Sequence, residues 1–454
     1  MGAAVPSRTA PENEARYAQR LARYTTAMRN EMPDRVPIRP FVAEFVGVYA
    51  GYNCQELAHD YHKAFDAACK TAADFDWDAV VPNMVYVWTG LAQAMGLKYY
   101  AIPGIHIPAD TGFQYREPPK DQAFMRADEY DALIADPTGF LYNVWLPRVS
   151  TQVVPIGAPS TYENNLALVH TAMAMMQYFT DFGPQVERLR RECGTVSAIS
   201  GILKAPLDIL ADKLRGYLGL VDDLFERRPK VVAACEALAP HLAHVAKTTA
   251  DPARNVPVGF WMHRGGVPFV SPDVFDHVFW PTLKPIVQEL WAEGHQTLFY
   301  AEGNWDYHLR SFAELPDRSI VYHIDQGDID RARDILGDKF CLSGGLPNTL
   351  LCLGTPAEVR RRCKEIIHGI ARHGGYIMDA SAIVQNDAKV ENVRAMTEAT
   401  LEYGVYARGH AASHLATGGP RPRDEDAQPG SFLPNPPPDK PQPGECYSWQ
   451  RKRS

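Results

Sequence analysis

The sequence predicts an α/β chain folded as a parallel β/α barrel of the TIM type, with an insertion near the mouth and an extended C-terminal arm. Three observations carry that prediction. Eight short apolar or β-rich runs recur along 454 residues. Their near-continuous apolar character suits strands buried on both faces of a parallel sheet. Amphipathic helical stretches separate most of them, and repeated β-then-α units imply right-handed crossovers. A doubly wound sheet is the rival architecture.

The runs, in order, are 36–42 (VPIRPFV), 78–88 (DAVVPNMVYVW), 196–203 (VSAISGIL), 256–262 (VPVGFWM), 296–303 (QTLFYAEG), 319–325 (SIVYHID), 339–345 (KFCLSGG) and 374–380 (GGYIMDA). The clearest helix covers 355–373. Thr355 and Glu358 form a capping box, and Pro356 suits the first helical position. Val359, Cys363, Ile366, Ile367 and Ile370 make one apolar stripe, and Gly374–Gly375 is the expected stop. A second helix begins at Ser271-Pro272, and Pro281 and Pro285 should kink or split it. Residues 104–195 are less regular and are expected to form a partly helical insertion over the mouth. Nine of the 36 prolines fall between Pro420 and Pro443, which predicts an extended arm. The domain boundaries are therefore an N-terminal helical and polar segment at 1–30, the barrel at 31–410, and the arm at 411–454.

Composition narrows the class without naming a chemistry. Apolar residues make up 46% and charged residues 22%, as in ordinary globular chains. A net charge of -8 lacks the basic footprint of a nucleic-acid binder. No run of about 18 apolar residues exists to cross a bilayer. The first twenty residues lack the apolar stretch of a secretory signal. Eight scattered cysteines without a CxxC fit reduced thiols. The expectation is a cytoplasmic protein with no nucleic-acid or membrane partner. P-loop, dinucleotide GxGxxG, HExxH and GxSxG motifs are all absent.

In a β/α barrel the active site lies at the C-terminal ends of the strands. The run TLFYAEGNWD puts Tyr300, Glu302 and Asn304 on alternating positions, facing one way. A carboxylate and a phenol converging there suit acid–base work. The next run places His323 and Asp325 on a shared face, and Asp328 is expected to cap the following helix. Other strand ends offer His263 with Arg264, the glycine pair ending at Gly345, and Asp379 with Ser381. Glu44 follows the first strand. The aromatics Phe41, Tyr49, Tyr52, Trp261, Phe299, Trp305 and Tyr307 are candidates to line an apolar pocket or simply to fill the barrel.

These segments resemble the uroporphyrinogen decarboxylase superfamily, most closely its corrinoid-linked methyltransferase branch. The matching stretches include RVPIRPFVAEF, ILKAPLDILADKLRG, GGVPFVSPDVFDHVFWPTLKPIV, FYAEGNWD, IDQGDIDRARDILGDKFCLSGGLPNTLL and GTPAEVRRRC through GGYIMDAS to KVENVRAM, over roughly 30–405. The resemblance implies a single distorted β/α barrel. Two departures matter. The arginine-rich segment that grips propionates in true decarboxylases reads FVAEFVGVYAGY here, with no arginine, so the guanidinium forks suited to carboxylates are missing. The His-x-Cys pair and later Cys that bind zinc in thiol-activating relatives map to Tyr300, Glu302 and about Ala382. No zinc or other metal is therefore expected.

The resemblance then implies methyl transfer between a small organic methyl donor or acceptor and a corrinoid (cobalamin) supplied by a partner protein, since no DxHxxG segment is present. Glu302, Tyr300 and Asp325 are the expected catalytic residues. A buried carboxyl of raised pKa at Glu302 would protonate the leaving group. His263, Asn304, Glu44, Trp261, Asp379 and Gly345 are the expected substrate contacts. A homodimer is expected from family habit. The rival readings are a cofactor-free decarboxylase or lyase, and a non-catalytic ligand-binding barrel.

Overall fold

The computed structural model describes residues 10–81 and 88–406. Its core is a ladder of parallel strands: β1 (Ala79–Val80), β2 (Val196–Ser197), β3 (Gly201–Lys204), β4 (Val258–Met262), β5 (Thr297–Ala301), β6 (Ile320–Ile324), β7 (Cys341–Gly344) and β8 (Tyr376–Ile377). Strands β3 to β8 form one six-stranded sheet in sequence order, and β1 pairs with β2. Single parallel bridges complete the ring. Ile38 pairs with Met378 and Val42 with Val384 on one side, and Phe41 pairs with Val81 on the other. The run 36–42 is thus the first barrel position, although only bridges mark it.

The run 196–203 divides into β2 and β3. Its first part pairs with β1 and its second with β4, so one run serves both neighbours. Eight positions therefore close as a barrel, and the doubly wound alternative falls away. Within the 78–88 run, residues 82–87 lie outside the described residues.

Period two sorts the side chains. Leu298, Tyr300, Val321, Cys341 and Ile377 join one apolar cluster inside the barrel. Phe299, Ala301, Tyr322, Ile324 and Leu342 join another, outside it against the helices. Alternation of this kind is what a two-residue strand period demands. The helix α1 (Ala10–Met28) contributes Tyr24, Ala27 and Met28 to the inner cluster. Its Arg23 reaches Asp78 at 2.6 Å, and Arg35 reaches the same carboxylate at 2.8 Å.

The long helix α2 (Tyr162–Arg188) ends the insertion and leads down to β2. The remainder of the insertion holds short helices, and its Gln114–Tyr115 pairs antiparallel with Tyr100–Ala101 just before it. Ser271 caps the helix expected after it, and a π-helical turn over Phe275–Phe279 separates that start from α3 (Trp280–Ala292), which opens at Pro281. Pro285, expected to kink or split the helix, lies inside α3, which runs on through it despite the missing N–H. The helix α4 (Pro356–Gly369) has the expected capping box. It stops before Gly374–Gly375. Those glycines serve a close approach instead: a Cβ on Gly374 would lie 2.7 Å from the Glu31 carbonyl oxygen, and both have positive φ. The arm at 411–454 lies outside the described residues.

Candidate active site

Strand register builds the site. Lys204 pairs with Trp261, Trp261 with Tyr300, Tyr300 with His323 and His323 with Ser343. These five inward positions make one ring across β3–β7. Two residues further along, at the strand C-termini, come His263, Glu302 and Asp325.

The mouth cluster centres on Glu302. Its Oε2 accepts a 2.7 Å hydrogen bond from Trp261 Nε1 and lies 2.8 Å from His263 Nε2. The other face of His263 meets Asp212, with Nδ1 3.2 Å from Oδ2. Lys204 donates to the same Asp212 oxygen at 2.6 Å and lies 3.1 Å from His263 Nδ1. Arg264 Nε donates to Asp212 Oδ1 at 2.9 Å. Asp208 accepts from the Arg264 backbone N–H at 2.6 Å and the His263 N–H at 3.3 Å, so it fixes the loop that carries the imidazole. The Glu302 side chain keeps 45% of its surface open and His263 keeps 26%, but the His263 Nε2 atom is itself buried against Glu302.

Charge follows from these contacts. Burial works against ionisation of Glu302, but His263, the Trp261 N–H and Lys204 outweigh it and hold the carboxyl below its ordinary value. Burial would depress His263, but Asp212 and Glu302 raise it instead. Asp212 is pulled well below the ordinary carboxylate range despite burial, by His263 and Lys204. Asp208, fully buried, is pushed up to about 6 by burial. The raised-pKa acid expected at Glu302 is not what its surroundings favour: the Glu302 carboxyl is held below its ordinary value, and the adjoining His263 imidazole is held above its own. The reason is its partner across the strands: opposite charge at contact distance favours ionisation over the desolvation that disfavours it.

A second cluster lies deeper. Arg39 from the first barrel position reaches Asp379 at 3.2 Å and donates to Ser343 Oγ at 2.8 Å. His323 shares Ser343 Oγ at 2.9 Å through Nδ1, and its Nε2 lies 3.0 Å from the Ser381 carbonyl oxygen. Burial pushes Asp379 up to about 7 and His323 well below its ordinary value. Tyr300 stacks on His323 at 4.5 Å and lies tilted against Trp261 at 4.4 Å, and burial holds its phenol protonated.

The expected residues thus separate into groups. Glu302, His263 and Trp261 come together at the mouth. Tyr300 and Asp379 belong to the buried layer beneath it. Asp325 accepts the Gly303 N–H at 2.8 Å and so braces the turn after Glu302; burial and then Glu302 raise its carboxyl against that bond. Asn304 does not join the cluster: its Oδ1 accepts the Asp306 N–H at 3.0 Å, an Asx-type turn. Glu44 is buried at the start of the helix Phe45–Ala50, and no described contact links it to Glu302. Gly345 has φ +80, and a Cβ there would lie 2.5 Å from Ile329 Cδ1, so backbone packing explains it. Asp328 caps its helix as expected, accepting from Asp330 and Arg331 N–H. Of the aromatics, Phe41 and Trp261 face inward with Tyr300, whereas Phe299 and Trp305 pack outside the barrel and Tyr307 is exposed.

Lys204, Asp208, Asp212 and Arg39 complete these clusters without having been singled out from sequence. A signal existed for three of them. Lys204 closes the strand run 196–203, and the two aspartates follow at four-residue steps, which places them on one helical face.

Among the described residues no group of three or more His, Cys, Asp or Glu side chains is arranged to hold a metal ion. Of the three positions expected to replace zinc ligands, only Glu302 carries an ionisable carboxyl, beside His263. Burial holds the Tyr300 phenol protonated, and Ala382 has no ligating side chain.

A model of the uroporphyrinogen decarboxylase (URO-D) family matches residues 162–403, more than half of the chain. The chain belongs to the uroporphyrinogen decarboxylase family. No curated protein matches it. Among solved structures, a methyltransferase from Methanosarcina mazei is similar with a TM-score of 0.58 at 15% identity, covering 85% of this chain and 98% of that one. That likeness shows the fold. The matched span opens with α2 and runs through both clusters, so the family region contains Lys204, Asp212, His263 and Glu302, while Arg39 lies before it.

Proposed function

We propose that this family member transfers a methyl group between a small organic substrate and a corrinoid carried on a partner protein. One observation carries the reading: the His263–Glu302 contact at the open end of the barrel, with Asp212 and Lys204 behind it. Cleaving a methyl–heteroatom bond leaves negative charge on the heteroatom, and a positioned acid must supply a proton. His263 is that acid, kept protonated by the two carboxylates. Glu302 holds the Nε2 end of the imidazole, and Asp212 holds the Nδ1 end. The corrinoid supplies the methyl-accepting cobalt, while these residues bind, orient and deliver the proton. Trp261 fixes one oxygen of Glu302, and Phe41 with Tyr300 forms the apolar floor.

The rival decarboxylase reading has its own support. Lys204 next to His263 would also stabilise charge left on carbon after carbon dioxide leaves, and His263 would return the proton. Incubating the protein with methylated ethers, amines and thioethers plus a reduced corrinoid protein separates the two. Methyl-cobalt absorbance that depends on both components supports methyl transfer. Carbon dioxide release from an acid without any corrinoid supports the lyase.

A further inference from the structure

We propose that Lys213 reads the substrate, its ammonium pairing with a carboxylate on the molecule that enters the barrel mouth. The inference rests on the site of the proposed function and adds a substrate class to it. Lys213 lies in the π-helical turn Leu210–Arg215, next to Asp212. Its Nζ stands 4.3 Å from the ring centre of Tyr99, 4.7 Å from that of Tyr115 and 5.4 Å from that of Tyr100. Tyr100 and Tyr115 are register partners and Tyr99 packs on both, so the three rings form one cage. The Tyr115 hydroxyl donates to the Asp212 carbonyl oxygen, which ties the cage to the turn that holds His263.

The pairing of charges singles this lysine out. Asp212 partners Lys204, Arg264 and His263, and Glu302 partners His263 again. Lys213 has no such carboxylate among the described residues, and its Nζ meets ring faces instead. A ring face attracts a cation but does not replace an oxygen acceptor, and an ammonium carries three donors. Burial and then the charge of Lys204 lower its pKa to about 8, as befits a cation short of a counter-ion. An arriving carboxylate supplies that counter-ion and the acceptor oxygens together. Lys204 also stands 3.1 Å from His263 Nδ1. Lys213 and His263 thus flank Asp212, the first along the chain and the second by contact, and one substrate can meet both. A single negative charge fits better than a phosphate, because Asp212 and Glu302 would repel a dianion.

Calorimetric binding to the full chain tests this without any corrinoid, so the outcome does not depend on whether methyl transfer occurs. The probes are para-methoxybenzoate and methoxyacetate, each against its own amide. Wild-type protein should bind at least one acid tighter than its amide by about tenfold or more, the scale of a charge-assisted hydrogen bond. Lys213→Met should abolish that preference and leave amide binding unchanged. A wild type that prefers neither acid, or binds none of these probes, overturns the proposal. So does a preference that survives Lys213→Met. Equal losses for acid and amide in that variant would make Lys213 a bolt for the tyrosines rather than a substrate contact, and overturn it as well. If Lys213→Met does not fold, Lys213→Gln takes its place, and the wild-type comparison of acid with amide still decides.

Discussion

At the barrel mouth His263 stands 2.8 Å from Glu302, and in the interior His323 stands 3.7 Å from Asp379. Each pair has a cation nearby, Lys204 above and Arg39 below. Yet His263 is raised and Glu302 lowered, while His323 is depressed and Asp379 is pushed up to about 7. The difference is access to water and the number of compensating partners. The mouth pair is partly open and flanked by a second carboxylate, so its charged forms are favoured. The interior pair is fully buried, and desolvation favours the neutral forms. The same residue types therefore serve proton transfer at one level and packing at the next.

The largest effect should fall on the interior. Above about pH 7, where Asp379 ionises, Arg39→Met leaves a buried carboxylate without its cation and should cost about 3–5 kcal/mol of unfolding free energy, as lost partners of buried pairs do. Denaturant titration measures it, and adding Asp379→Leu should recover much of the loss. Glu302→Gln should instead cut turnover by about a hundredfold or more. Its stability should change by no more than about 1 kcal/mol, because the carboxylate is nearly half open. If the two variants behave alike, the division into chemical and structural layers is wrong.

Asp212→Asn sharpens the comparison. It removes a carboxylate that keeps His263 protonated, so the pKa of His263 should fall. The acid is needed in its protonated form, hence the alkaline limb of the rate profile should move to lower pH. A shift of roughly one unit corresponds to about 1.4 kcal/mol.

The smallest effect is on stability against pH. His263, raised above its ordinary 6.5, stabilises the fold fully below that value and stops doing so as pH rises through its folded pKa. Glu302, lowered from 4.5, stabilises above that value and stops as pH falls through its folded pKa. The window for the pair is therefore about pH 4.5–6.5. His263→Gln should lose most stability inside it, by up to about 1 kcal/mol, when unfolding curves are compared across pH.

Much of this was legible in sequence. Alternation put Tyr300 with Glu302 and His323 with Asp325 on inward faces, and the strand-end rule directed attention to His263. The helix caps at Thr355 and Asp328 are local hydrogen-bond chemistry and appear as expected. What stayed hidden depends on neighbours distant in the chain. The direction of the Glu302 shift is set by His263 on another strand. Asn304 shares the face of Glu302, but its side chain is spent on its own turn. Asp212 meets His263 only because the helical turn after β3 folds back over β4. Arg39 lies between two prolines, and nothing local shows that its guanidinium turns into the barrel toward Asp379.

The account rests on opposite protonation of the two histidines, and proton NMR titration of the imidazole C2–H resonances reads it directly. With His263→Gln and His323→Gln used for assignment, His263 should titrate above 6.5 and move down in Asp212→Asn. His323 should show no titration near neutrality. A His263 that titrates at or below 6.5, or a His323 that gains a proton alongside it, would contradict the assignment of His263 as the proton donor.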